Sequence, residues 1–172
     1  MSDTSDASDF DSETDGERIG LEHGAGGEAT RKLVAETLAS GFVDPEDAVV
    51  GLTGMDDGAV VPLGNKNLVL TTDSHVIDPP FFPGGDIGRL AVSGTVNDLA
   101  VMGATDIRAL TSAMVIEANY PVAKLERIAD SMAATCEEAD AAVVTGDTKV
   151  MGNGEIDGIV INTAGVGVAP HV

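Results

Sequence analysis

A chain of 172 residues with 43% hydrophobic content is long enough for one domain with a real core, and at this size folding buries roughly 70% of the unfolded chain's surface. Aromatic residues make up only 3% and tryptophan is absent, so the core must be built from Ala, Val, Leu, Ile and Met. A net charge of −20, from 29 acids against 9 Lys and Arg, excludes the basic stripe that nucleic-acid binding needs, and no run approaches the ~18 apolar residues that span a bilayer.

Residues 1–19 are Ser, Asp, Thr and Glu with almost no apolar content, which predicts a disordered acidic tail ahead of a folded domain over 20–172. An acidic start is not a secretory signal, and a soluble cytoplasmic protein is expected. The acidity suits concentrated salt, where screening removes self-repulsion, so it reads as a halophilic trait ahead of a match to a basic partner. A lone Asp or Glu therefore counts only in a specific context.

The folded part opens near Ile19 with IGLEHGAGG. A helix is predicted from Gly27 or Glu28, carrying Leu33, Val34 and Leu38 and stopping near Gly41. Asp44-Pro45 marks a turn. Strands are expected at 48–52 and 59–62, with the acidic Gly54 to Gly58 segment between them, and Gly64-Asn65 turns into a strand at 68–72 that ends in Asp73. A Pro/Gly-rich loop leads to a helix from Asp86 to about Met102, stopped by Gly103. Residues 106–117 alternate as a long strand, and Pro121 suits the first turn of a helix running to about Asp140. A buried strand at 141–145 should deliver a Gly146-Asp147-Thr148 loop, and Gly152-Asn153-Gly154 signals a hairpin before a last strand at 156–168. The irregular interleaving fits α+β better than a doubly wound parallel sheet.

Four segments carry chemistry, each beside a plainer structural reading. Asp56-Asp57-Gly58-Ala59 sets adjacent carboxylates between strands, where a cation relieves their repulsion or a hairpin turn simply exposes them. Thr72-Asp73-Ser74 delivers a carboxylate at a strand edge, which a solvated strand end explains equally. Asn97-Asp98 interrupts an apolar helix between Val96 and Leu99; a half-buried carboxylate there needs a partner. Val143 to Lys149 emits Gly146, Asp147, Thr148 and Lys149, donors suited to magnesium and phosphate or to a surface Asp–Lys pair.

The loop His23-Gly24-Ala25-Gly26-Gly27 opens a helix, where backbone amides attract anions, but it lacks the Gly-Lys-Ser/Thr ending of a P-loop. His23 is the one histidine in a site-like context, and no serine or cysteine nucleophile accompanies it. Cys136 continues the apolar stripe Leu125, Ile128, Met132 and reads as a buried small hydrophobe; a single cysteine excludes an internal disulfide.

Taken in order, HGAGG (23–27), MDDGAV (55–60), TTDSHVIDPPFFPGGDIGRLA (71–91), NDLAVMGA (97–104) and VTGDTKV (144–150) resemble the N-terminal domain of the HypE family of hydrogenase maturation proteins. That family sits in the aminoimidazole ribonucleotide (AIR) synthetase-like superfamily with thiamine-monophosphate kinase and selenophosphate synthetase. DPPFFPGGDIG and GDTKV point to HypE within it. The resemblance implies an ATP-binding domain with a mixed or antiparallel sheet of about four strands backed by helices, pairing into a barrel at a dimer interface. It implies magnesium held by Asp57, Asp73, Asp98 and Asp147, with Asp147 also contacting ATP. Asn97, Thr148 and Lys149 would support the phosphates, and His23, Gly24, Gly26 and Gly27 would close over them. Asp73, Asp98 and Lys149 are the implied catalytic residues.

The family's activity, by the same resemblance, is ATP-dependent dehydration of a carbamoyl group on its own C-terminal cysteine to a thiocyanate, for the cyanide ligands of nickel–iron hydrogenase. A HypF-like carbamoyltransferase and a HypC/HypD-like scaffold are the implied partners. The family continues into a second domain and a terminal cysteine tail, so residues 20–172 are expected to be its ATP-binding half and incomplete for catalysis alone. The competing readings are another ATP-dependent enzyme of the superfamily and a non-catalytic dimerisation module.

Overall fold

The computed structural model describes Gly16 and residues 18–104 and 106–170, so the acidic tail expected over 1–19 falls almost wholly outside the described residues. The chain divides into two units, Met1–Phe42 and Val43–Val172. In the first, a 3-10 turn, Leu21–Gly24, precedes a short helix α1 (Glu28–Leu33) capped by an extended Gly27. α1 then widens into a π-helical turn over Val34–Leu38.

The second unit contains strands β1 (Ala59–Leu63), β2 (Lys66–His75), β5 (Asp106–Glu117), β6 (Val143–Met151) and β7 (Ile159–Ala169). They form one mixed sheet in the order β1-β2-β7-β5-β6, with only the β5–β6 pair parallel. The sheet therefore has five strands, one more than expected. Two-residue strands β3 (Phe81–Phe82) and β4 (Gly85–Asp86) pair separately, turning the Pro/Gly-rich loop into a small hairpin.

Helices α2 (Ile87–Val101) and α3 (Val122–Glu138) lie on one face of the sheet. Local signals set their ends. The Asp86 side chain accepts a hydrogen bond from the Arg89 amide at 3.0 Å, and Gly103 takes the left-handed φ of +86° that stops α2. β7 alternates strictly, burying Ile159, Ile161 and Thr163 against the helices. Ile87, Leu99, Leu110, Ile128 and Ile161 are fully enclosed, each contributing about 1.5–3 kcal/mol by leaving water. α2 sits so close to β7 that a Cβ on Gly165 would lie 2.7 Å from Leu99 Cδ1 and 2.8 Å from Thr95 Cγ2. The opposite face, carrying Leu70, Thr72, Ser74, Asn162 and Ala164, receives neither α2 nor α3.

Several expectations need correction. Residues 48–52 make only an isolated bridge, Val50 with Val60, instead of a strand. The Asp44 carboxylate accepts from the Leu52 amide at 2.6 Å and the Thr53 hydroxyl at 2.6 Å, bending the backbone into a 3-10 turn, Leu52–Gly54. β2 does not end at Asp73, because β7 continues to pair with it through His75–Ile161. The strand expected at 141–145 is neither buried nor followed by a loop. β6 is an exposed edge strand, and its ladder to β5 keeps Gly146 to Lys149 extended.

The Gly152 to Gly154 segment is not a hairpin between neighbours. β6 and β7 flank β5 on opposite sides, so this connection crosses the end of β5. There Glu117 accepts hydrogen bonds from the Gly154 amide at 2.8 Å and the Gly158 amide at 3.2 Å.

Candidate functional site

Strand alternation and helix periodicity bring an acidic cluster together on the helix-covered face. Thr71, Asp73 and His75 occupy every second position of β2, so they share a face. Asp73 pairs with Thr163, which is wholly buried beneath α2 and bonded to the Thr95 hydroxyl at 2.6 Å and the Ala91 carbonyl at 3.0 Å. Gly94 and Asp98, four residues apart, present one stripe of α2 to this row. A Cβ on Gly94 would lie 2.9 Å from His75 Nε2 and 3.3 Å from Asp73 Oδ2.

Thr71 ties three elements together. Its hydroxyl lies 2.7 Å from the Asp57 carbonyl, to which it donates, and 3.2 Å from Asp98 Oδ2. Asp73 Oδ2 lies 3.3 Å from His75 Nε2. Burial holds the Asp98 carboxyl above the ordinary aspartate value; the Thr71 hydroxyl and His75 oppose this, while the charges of Asp73 and Asp57 add to it. Asn97 is exposed beside Asp98 on α2.

His75 escaped sequence reasoning, which looked to His23 alone. The available signal was the period of two from Asp73, once the strand was known to continue.

The chemistry of this donor set suits a hard divalent cation. Asp57, Asp73 and Asp98 offer oxygen ligands, and among the described residues no Lys or Arg forms an ion pair with any of them. No three His, Cys, Asp or Glu side chains among the described residues form a ready-made cage. Magnesium does not require one, since it takes one or two carboxylates and completes its shell with water and phosphate oxygens.

Asp147, Thr148 and Lys149 stand apart from the cluster. Asp147 pairs with Ala113, which pairs with Asn162, which pairs with Ser74, one row beyond Asp73. Successive rows face opposite sides, so Asp147 and Lys149 take the face that receives neither α2 nor α3, while Thr148 takes the other. All three are exposed on the edge strand. One chain thus brings Asp57, Asp73 and Asp98 into one neighbourhood and leaves Asp147 on the far side of the sheet.

The glycine loop belongs to the first unit. His23 Nδ1 accepts from the Gly20 amide at 3.0 Å, and the Gly26 amide donates to the Thr30 hydroxyl at 3.0 Å. Gly26 has φ +76°, which a side chain rarely tolerates, and a Cβ on Gly24 or Gly27 would meet nothing within 4 Å.

A cavity of about 500 Å³ lies between α3 and the β5–β6 edge, lined by Met114, Met132, Cys136 and Val143 among others. None of the site residues expected from sequence lines it. Cys136 is buried as expected, and burial pushes its thiol up, against a weaker hydrogen bond with the Val143 backbone. No helix among the described residues is long and apolar enough to cross a membrane.

Residues 55–169 match the model of the AIR synthase related protein N-terminal domain. The carbamoyl dehydratase HypE of Rhizobium leguminosarum bv. viciae is 44% identical over 153 residues, which cover 89% of this chain and 42% of that protein. Among solved structures, a HypE–HypF complex aligns with TM-score 0.70 and 45% identity over 81% of this chain and 43% of the matched chain. HypE in complex with ATP aligns with TM-score 0.59 and 39% identity over 88% of this chain and 43% of the matched chain. The chain spans less than half the length of the relatives it matches.

Proposed function

The chain belongs to the AIR synthase related protein family, by that family's N-terminal domain, and from that premise we propose that it is the ATP-binding, dimerising half of a HypE-like carbamoyl dehydratase. The observation that carries the reading is the Asp57–Asp73–Asp98 neighbourhood, whose carboxylates lack a Lys or Arg partner among the described residues. It falls within the segments MDDGAV, TTDSHVIDPPFFPGGDIGRLA and NDLAVMGA, which resemble HypE. The similarity to HypE in complex with ATP makes nucleotide the ligand of choice.

In this reading Asp73 and Asp98 are the principal magnesium ligands, with Asp57 beside them, and Thr71 keeps the three elements in register. Bound magnesium neutralises phosphate charge on ATP. Asn97 supports a phosphate, and within the first unit the loop bearing His23, Gly24, Gly26 and Gly27 is a candidate anion binder through its backbone amides. In a complete HypE-like protein the terminal phosphoryl group of ATP would pass to the carbamoyl oxygen with release of ADP, and loss of that oxygen as phosphate together with the two N–H protons would leave the thiocyanate; the chain's part is positioning and electrostatic stabilisation.

Asp147 and Lys149 enter through dimerisation. Two copies packing together, into a barrel, the sheet faces that receive neither α2 nor α3 would bring Asp147 and Lys149 to the interface. That placement accounts for catalytic-looking residues on the wrong side of the sheet for Asp73. A HypF-like carbamoyltransferase is the proposed partner, by similarity to the HypE–HypF complex, with a HypC/HypD-like scaffold downstream. The surplus of acids is the proposed adaptation to a halophilic cytoplasm.

The test is calorimetric titration of ATP into the protein, with and without magnesium, in molar potassium chloride. Magnesium-dependent binding by a dimer is the expected result. A folded dimer with no affinity for ATP, alone or with the remaining half of a HypE-like protein added in trans, overturns the reading.

A further inference from the structure

Beside Thr71, the acidic cluster holds one further side chain that is not a carboxylate. His75 is 6% exposed, yet its Nε2 lies 3.3 Å from Asp73 Oδ2, while the Asp73 side chain itself is 45% exposed. One oxygen of Asp73 therefore rests against a buried imidazole while much of the carboxylate still meets solvent. The imidazole occupies the space that a side chain at Gly94 would claim, since a Cβ there would lie 2.9 Å from Nε2 and 3.1 Å from Cε1. Only a residue without a side chain lets α2 approach β2 closely enough to enclose the pair. We propose that His75 is a positioning residue that holds the Asp73 carboxylate for a divalent cation, and that Gly94 is the helix position that admits it.

The proposal rests on the reading that Asp73 holds the metal of a metal–nucleotide complex, and it extends that reading to how the ligand is aimed. A strand carboxylate half in solvent samples several rotamers, and a cation needs one of them. Anchoring Oδ2 against the imidazole restricts the carboxylate and leaves Oδ1 for the cation. Groups that orient a metal ligand in this way typically matter by 10–100-fold in affinity. A histidine serving only as core filler would be replaced by any side chain of similar bulk without effect on the cation.

The test is titration of manganese–ATP into the full chain in molar potassium chloride, followed by calorimetry, with thermal melting as the check on folding. His75→Leu keeps apolar bulk and removes the ring nitrogens; it is expected to weaken binding about tenfold. His75→Gln places an amide nitrogen near the position of Nε2 and is expected to stay within about threefold of wild type. Gly94→Ala forces the imidazole aside and should weaken binding as the Leu variant does, which serves if His75→Leu fails to fold. Wild-type affinity in the Leu or Ala variant overturns the positioning role alone, as does equal loss in the Gln and Leu variants. A wild-type chain that takes up no manganese–ATP, alone and with the remaining half of a HypE-like protein added in trans, overturns the metal reading as well.

Discussion

The hydroxyl of Thr71 on β2 lies 3.2 Å from Oδ2 of Asp98 on α2, and the same hydroxyl is 2.7 Å from the carbonyl of Asp57. One hydroxyl hydrogen is shared between the two acceptors. Asp98 is thus left incompletely satisfied inside a cluster of like charge, a state that a cation resolves.

Replacing Thr71 with Val keeps the strand's shape and removes the link between the acidic loop and α2. Magnesium-dependent ATP binding is expected to weaken about tenfold, the effect of losing roughly 1.5 kcal/mol at a charged acceptor. Thr71→Ser should retain most of the affinity. Calorimetry on the two variants decides it, and equal loss in both would remove the hydroxyl from the account.

Asp98 also makes a prediction for stability. Its carboxyl is held above the ordinary value near 3.8, chiefly by burial, so the folded state keeps its proton to higher pH than the unfolded chain does. Between those two values unfolding releases a proton; stability from this group falls as pH rises through the window, and the full cost is present above it. Asp98→Asn stays neutral throughout. In magnesium-free buffer it should show a flatter pH profile and gain on wild type as pH rises from 4 to 7, measured by urea unfolding in molar salt. With magnesium and ATP present the order should reverse.

Asp73→Asn and Asp147→Asn are each expected to weaken magnesium–ATP binding while leaving the dimer intact, read by calorimetry and sedimentation. Within one chain their side chains face opposite sides of the sheet. An equal mixture of the two variants that exchanges subunits should therefore regain about a quarter of the wild-type sites if each site draws Asp73 and Asp147 from different copies, since half of the dimers are mixed and each mixed dimer has one intact site. Wild-type affinity in both single variants would sink the site assignment.

Gly165→Ala tests the α2–β7 approach. The added methyl meets Leu99 Cδ1 at 2.7 Å and Thr95 Cγ2 at 2.8 Å, and overpacking of this kind costs about 1–3 kcal/mol. Urea midpoints should fall accordingly. A neutral result would mean that α2 can ride outward without loss.

Cys136 should resist thiol reagents. Burial raises its thiol and the side chain is 8% exposed, so little thiolate is available at neutral pH. Modification by a coloured disulfide reagent is expected to be at least about tenfold slower in the native protein than in urea. Rapid native reaction would show that the cavity beside α3 admits the reagent.

The sequence by itself determined what depends on neighbours a few residues apart. The start of α2 at Asp86, Gly103 ending it, Pro121 opening α3 and the alternation of β5 were all legible, because hydrogen bonds within a turn and side-chain periodicity are local. The motif order from HGAGG to GDTKV carried the family for the same reason, since identity is written in the residues. Only the tertiary structure decided that β7 lies between β2 and β5, which prolongs β2 to His75 and sets Asp147 on the face opposite Asp73. It alone placed Gly94 under His75 and drew residues 48–52 off their expected strand onto Asp44. Strand order and register are choices among distant partners with similar local propensities, settled by which face can be buried against α2 and α3. A one-residue difference in row exchanges the two faces of a sheet, so the geometry of the site waited on pairings that no window of sequence contains.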